Sequence, residues 1–171
     1  YFNQLQDTFG RLVGSKGGQY LDVPNGVFRD SSTQTTSPTS AAVITLATTD
    51  SANGVSLVDN SKFSVTQSGR YNVQATLQVT NNDVTAQSVY VWLRVKDVDL
   101  ADSCSSYTLP AGASFAITYS NSVVLPVNSY FQVVWGTTNA NVSITPVTAA
   151  ESPTRPAVPS AAVSVLFATA A

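Results

Sequence analysis

Apolar and polar residues alternate along most of this chain, which is the pattern of a strand that buries one face. The clearest run covers residues 71–80, where every second residue is apolar and the residues between are polar. Further alternating or apolar runs lie at residues 42–47, 55–58, 63–65, 115–119, 131–135, 142–144 and 163–167. Turn sequences rich in Asn, Gly, Pro and Asp separate these runs. The pattern predicts about eight to ten strands in an all-β sandwich or barrel.

The run at residues 88–95 differs from the others because both of its faces would carry large side chains. Valine and leucine occupy one face, and Tyr90, Trp92 and Arg94 occupy the other. Large aromatic side chains are unusual on a solvent-exposed face, since they leave apolar area in contact with water. The strand is either buried on both faces, covered by a second subunit, or a platform on which a sugar stacks. The sequence leaves these three alternatives open.

The first 17 residues follow a helical rather than a strand period. Phe2, Leu5, Phe9 and Leu12 recur at spacings of three and four, so they would share one face of a short helix. We expect an N-terminal arm over residues 1–17, either a frayed tail or a packed, partner-binding segment, and a sandwich domain over residues 18–171. Near the other end, three prolines within residues 153–159 predict an extended connector before the last strand.

Charge excludes several classes of partner. Charged residues make up 11% of the chain, hydrophobic residues 43%, and the formal net charge is −2. A disordered chain would be richer in charge and poorer in apolar residues. There is no basic field to hold a phosphate backbone, and no apolar run approaches the roughly 18 residues that span a bilayer. We therefore expect neither a nucleic-acid nor a membrane partner.

Few residues could carry chemistry. The chain has no histidine and a single cysteine, Cys104, which argues against catalytic triads and zinc sites and predicts an inert thiol. Asp97, Asp99 and Asp102 form the one acidic cluster and could hold a hard cation such as calcium. The cluster lacks the glycine and regular spacing of a calcium loop, and it follows a strand, which favours a turn. We expect no enzymatic activity, no metal and no cofactor.

One segment resembles a known family. The residues Phe63-Ser64-Val65-Thr66-Gln67-Ser68-Gly69-Arg70-Tyr71 resemble the signature segment of the tumour-necrosis-factor-like and complement-globular-head jelly rolls. The continuation at Asn72-Val73-Gln74, followed by Val91-Trp92-Leu93-Arg94-Val95, is similar to a viral and phage branch of that superfamily. The resemblance covers about residues 18–169. Lys96-Asp97 and Asn128-Ser129 replace that branch's usual turn residues, so a family metal site is unsupported.

The resemblance implies an antiparallel two-sheet jelly roll that assembles as a homotrimer. We place Tyr90, Trp92 and Tyr71 at the trimer interface. In the viral branch such trimers are virion parts, so we expect a capsid decoration protein on the outer surface of the shell. Its arm would lay Phe2, Leu5, Phe9 and Leu12 against the major capsid protein.

Three alternatives remain at this point. The same trimer could be a receptor-binding or fibre tip that presents residues 31–40 or 139–150 to a host-surface sugar or protein. A glycosidase would need a pair of carboxylates such as Asp97 and Asp99. A cytokine-like ligand is the third alternative.

Overall fold

The computed structural model describes residues 23–170, and these residues form strands and turns. The strands in chain order are β1 Asn25–Asp30, β2 Gln34–Thr35, β3 Ala42–Val43, β4 Thr48–Asn53, β5 Val55–Val58, β6 Lys62–Val65, β7 Gly69–Asn81, β8 Gln87–Val95, β9 Val98–Asp99, β10 Ser105–Leu109, β11 Ser114–Leu125, β12 Ser129–Thr137, β13 Val142–Ile144, β14 Ala150–Glu151, β15 Thr154–Arg155 and β16 Ala161–Thr169. The described residues include no helix that is long and apolar enough to cross a bilayer.

Two antiparallel sheets make up the sandwich. The first runs β2-β13-β7-β16-β1-β4, with β11 also paired to β7. The second runs β10-β8-β12-β6-β5, with β3 paired to β12 and β9 paired to β8. A separate small hairpin joins β14 to β15. Apart from the consecutive pairs β5–β6 and β8–β9, neighbouring strands in each sheet are not consecutive in the chain, as in a jelly roll.

The long strand β7 organises the first sheet. Its alternate residues Tyr71, Val73, Ala75, Leu77 and Val79 are at most 1% exposed and face the second sheet. Strand β11 pairs along β7 from Leu125↔Gly69 to Ser114↔Thr80, and β16 and β13 pair along its other edge. The strand predicted at residues 71–80 is confirmed and extends beyond both predicted ends.

Aromatic rings join the two sheets. Phe63 of β6 stacks on Phe131 of β12, with ring centroids 4.9 Å apart and 17° between the planes. Phe28 of β1 meets Phe63 edge-to-face at 5.3 Å. All three rings are fully buried. The core therefore holds residues from both sheets in direct contact.

The sequence pattern missed or misplaced several elements. Strands β1, β4 and β10 were not predicted, and within residues 42–47 only Ala42–Val43 forms a strand, although Ile44 and Leu46 are buried. The proline-rich stretch begins within the β14–β15 hairpin, and only residues 156–160 form a connector to β16, with one bridge from Val158 to Val147. The predicted arm of residues 1–17 lies outside the described residues.

Candidate functional site

The outward face of β8 carries a pocket rather than a flat aromatic patch. The pocket has a volume of about 550 Å³ and includes Tyr90 and Trp92 in its lining. Residues 38–41, which precede β3, form another part of the wall. Tyr90 is 36% exposed and Trp92 is half-buried. The chain's own loop thus covers part of the aromatic face that the sequence left unexplained.

A glycine beside the aromatic residues keeps space open. Gly136 of β12 lies directly opposite Tyr90 across the β8–β12 pairing. A Cβ built at Gly136 would lie 3.6 Å from Cζ3 and Cη2 of Trp92, which is ordinary van der Waals contact. The Trp92 ring therefore approaches the β12 backbone where that strand has no side chain. A larger residue at position 136 would extend into the pocket.

An acidic residue on the next strand, Asp99, interacts with Arg94 and Trp92. Arg94 Nε donates a hydrogen bond to Asp99 Oδ1 at 2.7 Å. Hydrogen bonds from the Arg94 and Trp92 side chains hold the pKa of Asp99 below its ordinary value of 3.8. The indole Nε1–H is the only donor of a Trp side chain, so it is the group that faces Asp99. The carboxylate links β9 to β8 through Arg94.

Hydroxyl groups and a thiol complete the lining. Thr138 Oγ1 donates to Gln87 Oε1 at 2.8 Å and accepts the Ser88 N–H at 2.9 Å. Cys104 is exposed at the same pocket and is not in a disulfide. Among the described residues that line the pocket, Asp99 is the only one with an ionised side chain at neutral pH. The site therefore offers an aromatic surface bordered by small polar groups.

The acidic cluster is a turn, as predicted. Lys96 and Asp97 adopt positive φ angles of 46° and 65°, which reverse the chain between β8 and β9. Asp97 Oδ2 accepts a hydrogen bond from the Tyr130 hydroxyl at 2.7 Å, whereas Asp99 pairs with Arg94. Over residues 23–170 no three acidic or cysteine residues come together in a way that could hold a metal ion.

The prediction that Tyr71 lies at the trimer interface is wrong. Its side chain is 0% exposed, because it lies on the core face of β7, where its hydroxyl donates to the Gln67 carbonyl at 2.7 Å. Burial raises the pKa of this hydroxyl. A second subunit could not reach Tyr71 in this arrangement. Tyr90 and Trp92 stay predictions as interface residues, and Phe2, Leu5, Phe9 and Leu12 lie outside the described residues.

A second surface of interest is the outward face of β7, β11 and β16. Strand pairing places Asn72 between Leu166 and Ser122, and Arg70 beside Val124. Leu166 and Val124 are each 51% exposed. The other outward residues in these three strands are small or uncharged polar residues, and Arg70 is the one charged side chain among them. This broad face has little charge to keep it solvated.

No pattern in the sequence indicates the hydrogen-bond network that joins two loops at one end of the sandwich. Asp83, in the β7–β8 loop, accepts hydrogen bonds from Asn139 Nδ2 at 2.8 Å and Asn141 Nδ2 at 3.2 Å. The hydroxyl and backbone N–H of Thr85, and then Asn141, lower the pKa of Asp83 to about 2. Asn139 and Asn141 are more than fifty residues from Asp83 in the chain, so only the fold brings them together.

Comparison with known proteins establishes the fold. No protein-family model and no curated protein matches the sequence. Among solved structures, the globular domain of the zebrafish complement 1qA protein is similar, with a TM-score of 0.57 and 9% identity. The match covers 87% of this chain and 99% of that one. The chain therefore has a complement-globular-head and tumour-necrosis-factor-like jelly-roll fold, as the sequence resemblance implied.

Proposed function

We propose that this chain is a homotrimeric, non-catalytic virion protein that decorates the outer surface of an assembled capsid. The fold supports a binding or structural module. The virion role is supported by the resemblance of residues 63–74 and 91–95 to the viral and phage branch of the superfamily. The single structural observation that supports assembly into a trimer is the low charge of the outward face of β7, β11 and β16.

That face suits a contact between identical subunits. Leu166 and Val124 are half exposed on it, and its polar side chains can form hydrogen bonds across an interface without the desolvation cost of buried charge. Closed cyclic symmetry would cover the face in every subunit. We propose this face as the subunit contact in place of the Tyr90 and Trp92 face that the sequence resemblance implied, because the chain's own loop at residues 38–41 already covers part of the latter.

The proposed arm supplies the contact with the shell. Phe2, Leu5, Phe9 and Leu12 recur at helical spacing, so an arm that folds on the shell would present one apolar stripe. Once one arm of a trimer is bound, the other two arms are held near their sites at a high effective concentration, so the trimer binds more tightly than a single arm. Because only the assembled shell offers all sites together, binding stabilises the shell by mass action.

A non-catalytic role agrees with the interactions that the candidate carboxylates, Asp97 and Asp99, make in the structure. A glycosidase needs one carboxyl that is held protonated beside another that is ionised. Asp97 accepts the Tyr130 hydroxyl, and Asp99 is engaged by Arg94 with its pKa lowered rather than raised. The sequence also lacks histidine, the commonest general base.

Light scattering coupled to size-exclusion chromatography tests the trimer. We expect light scattering to give the wild-type protein a molar mass of three times the 17.9 kDa of one chain. Leu166→Lys should shift the population to monomer, because it buries a charge in the proposed contact. Val98→Lys is the matched control, since Val98 is 70% exposed on β9 of the other sheet. A trimer that survives Leu166→Lys would rule out this face as the subunit contact.

Co-sedimentation with capsid shells tests the arm. The variant in which Phe2, Leu5, Phe9 and Leu12 are replaced by serine should lose shell binding and stay trimeric. Its control replaces four polar residues of the arm, Asn3, Gln4, Gln6 and Thr8, by serine and should bind like wild type. Equal binding of both variants would exclude the apolar stripe as the contact.

A receptor-binding tip is the second candidate function. The observation that favours it is the aromatic pocket at Tyr90 and Trp92, which a purely mechanical part would not require. Loss of host attachment in pocket variants that still bind shells would support this second function.

A further inference from the structure

We propose that the pocket between β8, β12 and residues 38–41 binds a neutral saccharide, with a pyranose ring stacked on Tyr90 and Trp92. The inference goes beyond shell decoration and depends neither on the arm nor on the trimer. It assigns a ligand class to a site formed entirely by described residues of one chain.

The aromatic pair has the geometry of a platform. Tyr90 and Trp92 are two residues apart on one face of β8, so their attachment points are about 7 Å apart along the strand. Side chains at such positions stand side by side on the sheet surface. The flat C–H face of a pyranose ring packs on such a surface, whereas a trimethylammonium group needs rings that surround it.

The charge of the lining favours a ligand without net charge. No lysine or arginine is among the described residues that line the pocket, and Arg94, two residues from Trp92 on the same strand, is already paired with Asp99. A phosphate or carboxylate would therefore find no unpaired cation in the lining. The Asp99 carboxylate is already paired with Arg94 at 2.7 Å, which reduces its attraction for a cation. Carboxylate and hydroxyl groups remain as hydrogen-bond acceptors and donors, and sugar hydroxyls are the matching groups.

The site is arranged before any ligand binds. Trp92 packs 3.6 Å from the Cβ position of Gly136, where β12 has no side chain, and Arg94 anchors Asp99 beside the pocket. A preorganised ring loses little conformational freedom on binding, so more of the contact energy contributes to affinity. The exposed residues Ser40 and Thr138 lie in the same lining and carry hydroxyl groups.

The size of the pocket fits a short saccharide. Its volume of about 550 Å³ lies within the range of roughly 300–1,000 Å³ for small-molecule sites. One or two sugar rings would fill it, and the open side would let a longer glycan continue into solvent. The proposed ligand is therefore the end of a neutral glycan chain.

Saturation-transfer NMR with the assembled wild-type protein tests the proposal. The probes are the methyl glycosides of glucose, galactose, mannose, fucose and N-acetylglucosamine, at millimolar concentration. We expect at least one probe to show transfer to the ring protons of one sugar face. Tyr90→Ala and Trp92→Ala should each weaken that binding by about tenfold or more, because each removes one stacking surface.

Two further variants separate ligand contact from stability. Gly136→Val should fill the space beside Trp92 and abolish binding, while the thermal unfolding midpoint shows that the variant folds. Phe115→Ala is the matched aromatic control, because Phe115 is 40% exposed on β11 of the other sheet, and it should bind like wild type.

The single cysteine provides an independent readout. Cys104 lies at the pocket, so a bound glycoside should slow its reaction with a maleimide. Three results would overturn the proposal. In the first, no probe binds. In the second, a probe binds equally well to Tyr90→Ala, Trp92→Ala and Gly136→Val. In the third, Cys104 is protected in the assembled protein without any glycoside and Tyr90→Ala separates the subunits, which means that a second copy covers the pocket.

Discussion

Asp83 and Asn139 lie 56 residues apart in the chain and are joined by a hydrogen bond of 2.8 Å from the Asn139 amide to the Asp83 carboxylate. The same carboxylate accepts the backbone N–H and the hydroxyl of Thr85, at 2.9 Å and 2.7 Å. One side chain therefore connects the β7–β8 loop to the β12–β13 loop. These bonds favour the ionised form, which makes the stability of this end of the sandwich depend on pH.

Acid should weaken this connection. The bonds lower the pKa of Asp83 from 3.8 to about 2. A carboxyl with a lower pKa in the folded state stabilises the fold fully above its unfolded pKa, and that contribution is lost as the pH falls through the folded value. We expect the loss between about pH 4 and pH 2. Urea unfolding of wild type and Asp83→Asn across this window measures it, and the variant should be less stable at neutral pH and lose less on acidification.

Asp102→Asn is the matched control for that experiment. Asp102 is exposed at a positive φ of 59°, which asparagine also tolerates, and its carboxylate accepts no hydrogen bond from the described residues. Its unfolding profile should follow that of wild type. Parallel pH profiles for wild type and Asp83→Asn would show that the Asp83 network contributes nothing to acid sensitivity.

The aromatic stack between the sheets should dominate core stability. Phe63→Ala removes the ring that contacts both Phe131 and Phe28 and leaves a cavity between the sheets. We expect the free energy of unfolding to fall by about 3–5 kcal/mol in urea titrations. Phe115→Ala, at a ring that is 40% exposed, should change it by less than about 1 kcal/mol. Similar losses in both variants would contradict the assignment of Phe63 to the core.

Tyr71→Phe separates a core role from an interface role. It removes the hydrogen bond to the Gln67 carbonyl and retains the edge-to-face contact with Phe167 at 5.4 Å. We expect the free energy of unfolding to fall by about 0.5–1.5 kcal/mol, with no change in oligomeric mass. Dissociation of the oligomer by this substitution would restore Tyr71 to the interface.

Two glycines should respond differently to alanine. A Cβ at Gly69 would overlap the Phe167 ring and lie 2.5 Å from the Thr169 carbonyl oxygen, so the β7–β16 pairing must shift. Gly112 has a φ of 66° and open space around it, so alanine there meets only the backbone penalty of about 1–2 kcal/mol. We expect Gly69→Ala to lower the urea midpoint more than Gly112→Ala does. The reverse order would contradict the packing at Gly69.

The alternation of apolar and polar residues predicted the strands that bury one face. It failed for strands that do not bury one face. Residues 71–80 alternate because the core side of β7 is buried and its outer side is not. Strand β4, Thr48–Asn53, has no buried residue, so it leaves no apolar period. Strand β1 begins at Asn25-Gly26, which the sequence marks as a turn, yet Asn25 pairs with Asn53.

The candidate site was predictable in part. Tyr90 and Trp92 stand out because they occupy the non-core side of a strong alternating run. The wall at residues 38–41 has no pattern of its own, and Gly136 opposite Tyr90 becomes meaningful only through the strand register. The error at Tyr71 was avoidable, since its position in the apolar half of the β7 alternation already indicated the core.

Quantitation of this chain in purified particles of the proposed source virus, with averaging of the shell by electron microscopy, tests the proposed decoration role most directly. We expect abundance comparable to that of the shell protein and three-fold knobs on the outer lattice, attached through the arm. Absence from the particle, or a few copies confined to a tail or vertex, would contradict a decoration role.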